Sequence, residues 1–497
     1  MHLIQSPQFH SRRAFLRRSG QLAMTGAGLP VALNLAAMSE AAAFDATDYK
    51  ALVCVFMFGG NDYSHMVIPY DDPNYNLYNT IRGGGGANQA AGGIALSKAS
   101  LTATLLNPTV APVDNVAGTG TRQYAFHPAM TGLAGLFNTG KAAVQLNVGP
   151  LVVPLTKAQF STGNRTTYPV PPQLFSHNDQ QSLWQSSSPE GSTVGWGGNM
   201  GDLALSGNGN SLFTCMSVSG NAVFLSGDTA LQYQLTTNGA IKIRPATDST
   251  VYGSTAVRST LNSLVRQMTS TNKIENEYNK VTDRALTYES MVTTTLANNV
   301  TLPTTFPTGN FGDQLKMVAR LIKGRAGLGS VKRQVFFVSL GGFDLHDGLL
   351  AQGAVNMDRV SAGMTAFHNE MVAQGMADKV TAFTASDFGR TLASNGDGTD
   401  HGWGSHHIVV GGAVKGAAFY GTPPPVSVGS TTAPVDQWQL GQGRLLPTTS
   451  VDQYAATMAK WFGVADAEMA GVLPKIGNFG GTAASGVSYP TDLGFML

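Results

Sequence analysis

The chain has 497 residues, of which 42% are hydrophobic, 12% are charged and 59 are glycines. This is enough to bury a sizeable core, and it excludes a coiled coil or a disordered chain. Lys plus Arg total 31 against 30 Asp plus Glu, and several arginines fall in the first 18 residues, so the body is slightly acidic and offers no basic field to nucleic acid.

Residues 11–18 read SRRAFLRR, followed by a weakly apolar Gly- and Ala-rich segment over 22–37 and by Ala41-Ala42-Ala43. Twin arginines, a weak apolar region and small residues at a cleavage site predict a Tat-type export signal over 1–43. The mature protein, 44–497, is then expected in the periplasm or outside the cell, with the twin-arginine translocation machinery as a partner. The alternative is an uncleaved anchor. Pro30, Asn34, Gly26 and Gly28 make this a poor span, shorter than the ~20 apolar residues required, so no stable membrane span is expected in the mature chain.

The elements follow in order. Residues 51–58 (ALVCVFMF) form an apolar run without alternation, as in a strand buried on both faces, and end in Gly59-Gly60. Residues 83–125 are rich in Gly, Ala, Asn and Thr and read as an insertion. A helix is expected from His127-Pro128 to Phe137 and a strand over 142–148. Residues 173–187 read as a loop entering a short helix capped by Ser176 or Asn178. Short strands are expected at 212–218 and 222–225, paired as a hairpin over 219–221, with polar turns over 230–250. Helical spacing returns over 257–299 and 311–323. A buried strand at 334–340 ends in Gly341-Gly342, a helix covers 357–374, and strands follow at 380–384 and 408–410. Residues 421–447 read as a Pro-, Gly- and Thr-rich surface excursion, and 452–462 as the last helix. No interdomain linker or repeat interrupts this order, so a single domain with insertions is expected. Cys54 lies inside an apolar strand, where an inert buried thiol is the simpler reading. Whether it pairs with Cys215 is open from sequence.

Three strands each deliver an aspartate just past the C-terminal end: Asp62 in FGGND, Asp344 in LGGFD and Asp387 in TASD. In open α/β sheets the ligand crevice lies outside those ends. One such aspartate is more often a helix cap; three, with histidines concentrated at 346, 401, 406 and 407, point to a divalent metal site. His346 is two residues from Asp344, so both can face one ion in an extended segment. Of adjacent His406 and His407, only one can face the crevice from a strand. His401 can be a ligand or an imidazole oriented by Asp400. His368, on a helix, reads as a surface residue, and His177 has no assigned role. Arg390 can clamp an anion or pair with a neighbouring carboxylate.

The segments FGGNDYSHMVIPY, FSHNDQQSLWQ, SLGGFDLHD, SDFGRT, DHGWGSHHIVVGG and TTSVDQYAATMAKWFGV, with the SRRxFL signal, together resemble the DUF1501 family. This is a family of Tat-exported bacterial proteins related to the alkaline phosphatase and sulfatase superfamily. The resemblance implies a three-layer α/β/α sandwich with a mixed, mostly parallel sheet. It implies a metal site holding Asp62, Asp344 with His346 or Asp347, Asp387 and one of His406 or His407, with His401 recruited from the loop. It also implies Ser176 as nucleophile. The family's pattern would place a histidine after Asp387, where this chain has Phe388. The ion expected is zinc, with magnesium, calcium or manganese as alternatives. The expected function is an exported metal-dependent hydrolase of phosphate or sulfate esters, with a non-catalytic binding or assembly protein as the alternative.

Overall fold

Alternate residues of the first strand face two different cores. Ala51, Val53, Val55 and Met57 pack with helices on one side of the sheet, and Leu52, Cys54 and Phe56 pack with helices on the other. That is why the run has no polar alternation: both faces are covered. The computed structural model describes residues 47–83, 93–267, 271–298, 301–482 and 487–497. The expected export signal and residues 84–92 of the expected insertion lie outside these.

Among the described residues, ten strands form the central sheet: β1 (Lys50–Met57), β2 (Ala142–Gly149), β3 (Cys215–Ser217), β4 (Gln232–Thr236), β5 (Gly239–Ala240), β6 (Arg333–Leu340), β7 (Val380–Ser386), β8 (Ser405–Gly411), β9 (Ala418–Tyr420) and β10 (Thr449–Ser450). Their order is β9-β2-β8-β7-β1-β6-β3-β4-β5, with β10 also paired to β2. Most pairs are parallel; β7–β8, β8–β2 and β4–β5 are antiparallel. Helices lie on both sides. α1 (Thr131–Asn138), α4 (Asn310–Lys323) and α5 (Ala354–Ala373) cover one face, and α2 (His177–Ser186), α3 (Trp196–Ala204) and α6 (Val451–Phe462) cover the other. Among the described residues, no helix is long and apolar enough to cross a membrane.

Two sequence expectations are corrected. Residues 212–225 form no hairpin: β3 runs parallel to β6 and β4, and 223–225 is a short 3-10 turn. Residues 232–236, read as turn, supply strand β4, because Leu235 and Tyr233 add to the apolar face shared with β3. Both cysteines are buried and free.

The register sets the site. Met57 pairs with Leu340 on one side and with Ser386 on the other, so β1, β6 and β7 end at the same level. Whatever follows each strand meets at this edge. Gly59 and Gly60 have φ of +119° and +98°, and a Cβ on Gly59 would lie 2.2 Å from the Asp344 backbone nitrogen. Only glycine allows the two strand tips to approach this closely.

Candidate metal centre

Beyond β7 the chain leaves the sheet over 387–404 and returns antiparallel as β8. A bridge between Asn61 and Gly389 pins this loop to the β1 tip, and one between Arg390 and His401 ties the loop to itself. On the other side, α2 begins at His177, and Gln180 holds its start by donating to the carbonyls of Pro172 and Gln173. These two segments and the β6 tip bring His177, Asp344 and His401 together. One ligand atom from each lies within 4.8 Å of the others, a group able to hold a metal ion.

The hydrogen bonds orient the imidazoles. His177 Nδ1 lies 2.6 Å from Asp387 Oδ2, an oxygen that also accepts from Gly59 N at 3.1 Å and Gln181 Nε2 at 2.9 Å. His401 Nδ1 lies 2.8 Å from the carbonyl oxygen of Phe175. Carboxylate and carbonyl oxygens only accept, so both Nδ1 atoms donate. In a neutral ring each Nε2 then carries a lone pair, and each faces Asp344: His177 Nε2 at 3.3 Å from Oδ2, His401 Nε2 at 3.1 Å from Oδ1. His346 completes the ring of donors. Its Nε2 is 3.0 Å from His401 Nε2 and 3.2 Å from Asp344 Oδ1, while its Nδ1 is 3.3 Å from Asp400. Acceptors facing acceptors repel unless a cation or a proton lies between them. Protons suit the two rings unequally. Asp387 raises the pKa of His177, first by its hydrogen bond and then by its charge, whereas burial lowers that of His401. Burial acts to raise the pKa of Asp344, but the Arg390 hydrogen bond and charge override it and hold the carboxyl below its ordinary range. Asp387 Oδ1 is buried with no hydrogen-bond partner.

Other expected site residues go elsewhere. Asp62 caps the turn after β1, accepting from Ser64 N and His65 N, and both its oxygens lie within 2.8 Å of Arg82. Its cation is therefore a buried guanidinium. His406 and His407 sit within β8 in the core and not in the cluster. His406 Nδ1 accepts from Asn147 N, and His407 packs against Trp184. Burial drops both pKa values to about 3. Arg390 is fully buried, and its donors go to Thr399, the Gly59 carbonyl and Asp344, so it pairs with a neighbouring carboxylate. Ser176 stands at the α2 N-terminus, but its hydroxyl donates to Asp179 and does not cap the helix. His368, expected at the surface, is buried on α5, and burial lowers its pKa to about 4.

Phe388 is buried, with its ring 4.9 Å from His177 and 4.6 Å from His401. The aromatic at the position of the expected histidine is a wall behind two imidazoles. The sequence reading gave no role to His177, and it missed Arg82, Gln181 and Arg444. Asp387, already singled out, needs a donor in reach, and the FSHNDQQ segment is the signal that bears on His177.

The sequence model of the family described as "Protein of unknown function (DUF1501)" matches residues 49–476. No curated protein matches the chain. Among solved structures, that of Ps i-CgsB in complex with k-i-k-neocarrahexaose aligns at 9% identity and a TM-score of 0.32, over 87% of this chain and 77% of that one. A structure from work on glycosaminoglycan metabolism by Bacteroides thetaiotaomicron aligns at 9% identity and a TM-score of 0.30, over 84% and 74%.

Proposed function

The chain belongs to the DUF1501 family, and from that membership together with the site geometry we propose that it is an exported, metal-dependent hydrolase of phosphate or sulfate esters. On this reading it is a three-layer α/β/α sandwich delivered by the twin-arginine route. One observation carries the proposal: the Nε2 atoms of His177 and His401, each with its Nδ1 proton committed to an oxygen, face the two carboxylate oxygens of Asp344. His177, His401, Asp344 and the neighbouring His346 would hold the ion. Imidazole with one carboxylate suits zinc; magnesium and calcium prefer oxygen donors. A bound ion there would ease deprotonation of the nucleophile and neutralise charge on the transferred group.

The chain's own residues supply the rest. Asp387 and the Phe175 carbonyl fix the tautomers of His177 and His401. Ser176 is the nucleophile, and Asp179, already accepting its hydroxyl proton at 2.8 Å, takes that proton as Oγ bonds to phosphorus or sulfur and the ester oxygen leaves. Water then frees the group from Ser176. Overall one water is consumed, and its hydrogens end on the alcohol and on the released anion.

A second reading, a non-catalytic protein keeping one structural ion, is favoured by the Asp62–Arg82 pair and by Phe388, which together leave no second ion site at this edge among the described residues. The deciding experiment measures metal in the purified mature protein and turnover across phospho- and sulfo-esters, with Asp344→Ala as control. Stoichiometric zinc and Asp344-dependent turnover are expected. Zinc without turnover supports the second reading; neither zinc nor turnover sinks the first, and equal turnover in Asp344→Ala moves the site elsewhere.

A further inference from the structure

A cavity of about 370 Å³ opens beside the cluster, lined by Phe160, Phe175, His346, Asp400, His401, Leu440 and Arg444. Its volume is at the small end for a ligand pocket, enough for one ring-sized group beyond the reacting anion. Arg444 differs from Arg390. Its Nε donates to the His401 carbonyl at 2.7 Å, and among the described residues its two terminal amino groups make no hydrogen bond. The guanidinium lies 5.6 Å from the centre of the Phe175 ring. Phe175 itself is held at φ +75°, a conformation costly for a bulky residue, with its carbonyl aimed at His401 and its ring on the cavity wall. Asp400, the one carboxylate among the lining residues, accepts a hydrogen bond from Asn395 and lies 3.3 Å from His346 Nδ1; it attracts Arg444 by charge and makes no hydrogen bond to it.

Resting on the hydrolase reading, we propose that this cavity selects the substrate: Arg444 binds the phosphate or sulfate group with its free amino groups, and Phe160, Phe175 and Leu440 enclose the ring of the esterified alcohol. Aryl and pyranosyl esters share this chemistry. Open-chain alkyl esters do not fill the cavity.

The test is equilibrium binding to the zinc-loaded protein, by calorimetry, of inorganic phosphate and of the non-hydrolysable phosphonate analogues of phenyl phosphate and a pyranose phosphate. At least one ring analogue should bind roughly tenfold or more tightly than inorganic phosphate, and whichever does so identifies the alcohol. Arg444→Gln should weaken all binding ligands by about tenfold or more, the scale of a charge-assisted hydrogen bond. Phe160→Ala, another lining residue, should weaken the ring analogue alone. Equal affinity of all three ligands, or no change in Arg444→Gln with an unchanged thermal melt, overturns the subsite. Binding is read without turnover, so an inactive protein that binds ring esters would overturn the hydrolase reading and keep the subsite.

Discussion

Asp387→Asn isolates what the carboxylate behind His177 does for the centre. Asp387 Oδ2 accepts from Gly59 N, Gln181 Nε2 and His177 Nδ1, while Oδ1 accepts nothing. In the variant the amide oxygen takes the Oδ2 position, because the opposite flip would point an N–H at three donors. All three hydrogen bonds survive, so the variant should fold. The negative charge is lost, and an NH₂ group replaces Oδ1. Outer carboxylates on metal-bound histidines are worth roughly 10–100-fold in metal affinity, which is about 1.4–2.7 kcal/mol at 1.36 kcal/mol per tenfold. The metal-free protein gives a second readout. Asp387 raises the pKa of His177 above its ordinary value of 6.5. A raised folded-state pKa contributes stability that is fully present below the unfolded value and lost as pH rises through the folded one. Metal-free Asp387→Asn should therefore lose stability to wild type at acid pH and match it at alkaline pH, with the His177 titration falling back towards 6.5. Zinc competition against a chromophoric chelator and NMR titration measure the two effects. Unchanged zinc affinity with an unchanged His177 titration would refute the tautomer argument.

Three further outcomes are expected. Ser176→Ala should keep its zinc and lose turnover; retained turnover in an ester assay would assign the attack to water. Arg390→Ala should cost about 3 kcal/mol in denaturant unfolding, the low end for a broken buried ion pair because Asp344 is partly exposed, whereas a substrate clamp would alter KM and leave stability alone. Burial lowers the pKa of His127 and His368 to about 4 and of His406 and His407 to about 3. Their folded-state values are depressed, so the stability they contribute is present above the unfolded pKa and is lost as pH falls from about 6.5 towards 3. The loss is about 1.4 kcal/mol per pH unit for each histidine, and equal unfolding midpoints at pH 7 and pH 5 would contradict it.

The apolar runs were legible because a strand buried on both faces leaves no choice of residue type. β1, β6 and β7 fall where expected, β1 shifted by one residue and β6 and β7 extended by one and two. The glycine pair after β1 was legible for the same kind of reason: close approach at positive φ excludes every other residue. What the pattern did not carry is which aspartate meets which cation. Asp62 and Asp344 follow the same Gly-Gly-x-Asp tip, yet Asp62 is taken by Arg82, which also donates to the Thr391 and Leu392 carbonyls. That partner is set by how the helix over 72–81 packs back, not by a local motif. His406 and His407 matched the expected ligand position by chain order, but the apolar neighbours Tyr63 and Trp184 claim their rings. Arg444 lies in a stretch read as surface excursion, and nothing in its immediate sequence distinguishes it.

Charge at the three strand tips argues for one ion. Asp62 is compensated inside the protein by a guanidinium that is fully buried and that touches both of its oxygens. An ion beside it would face that guanidinium at short range, in surroundings where like charges are poorly screened. Asp387 is committed to His177 through Oδ2. Asp344 alone meets several imidazole nitrogens at once. The departure at Phe388 fits this distribution. A histidine there would add a donor behind His177 and His401, where no second carboxylate is free to share an ion with it. The phenyl ring instead fills that space and presses on both imidazoles, so the change that removes one ligand also restricts the rotation of two others.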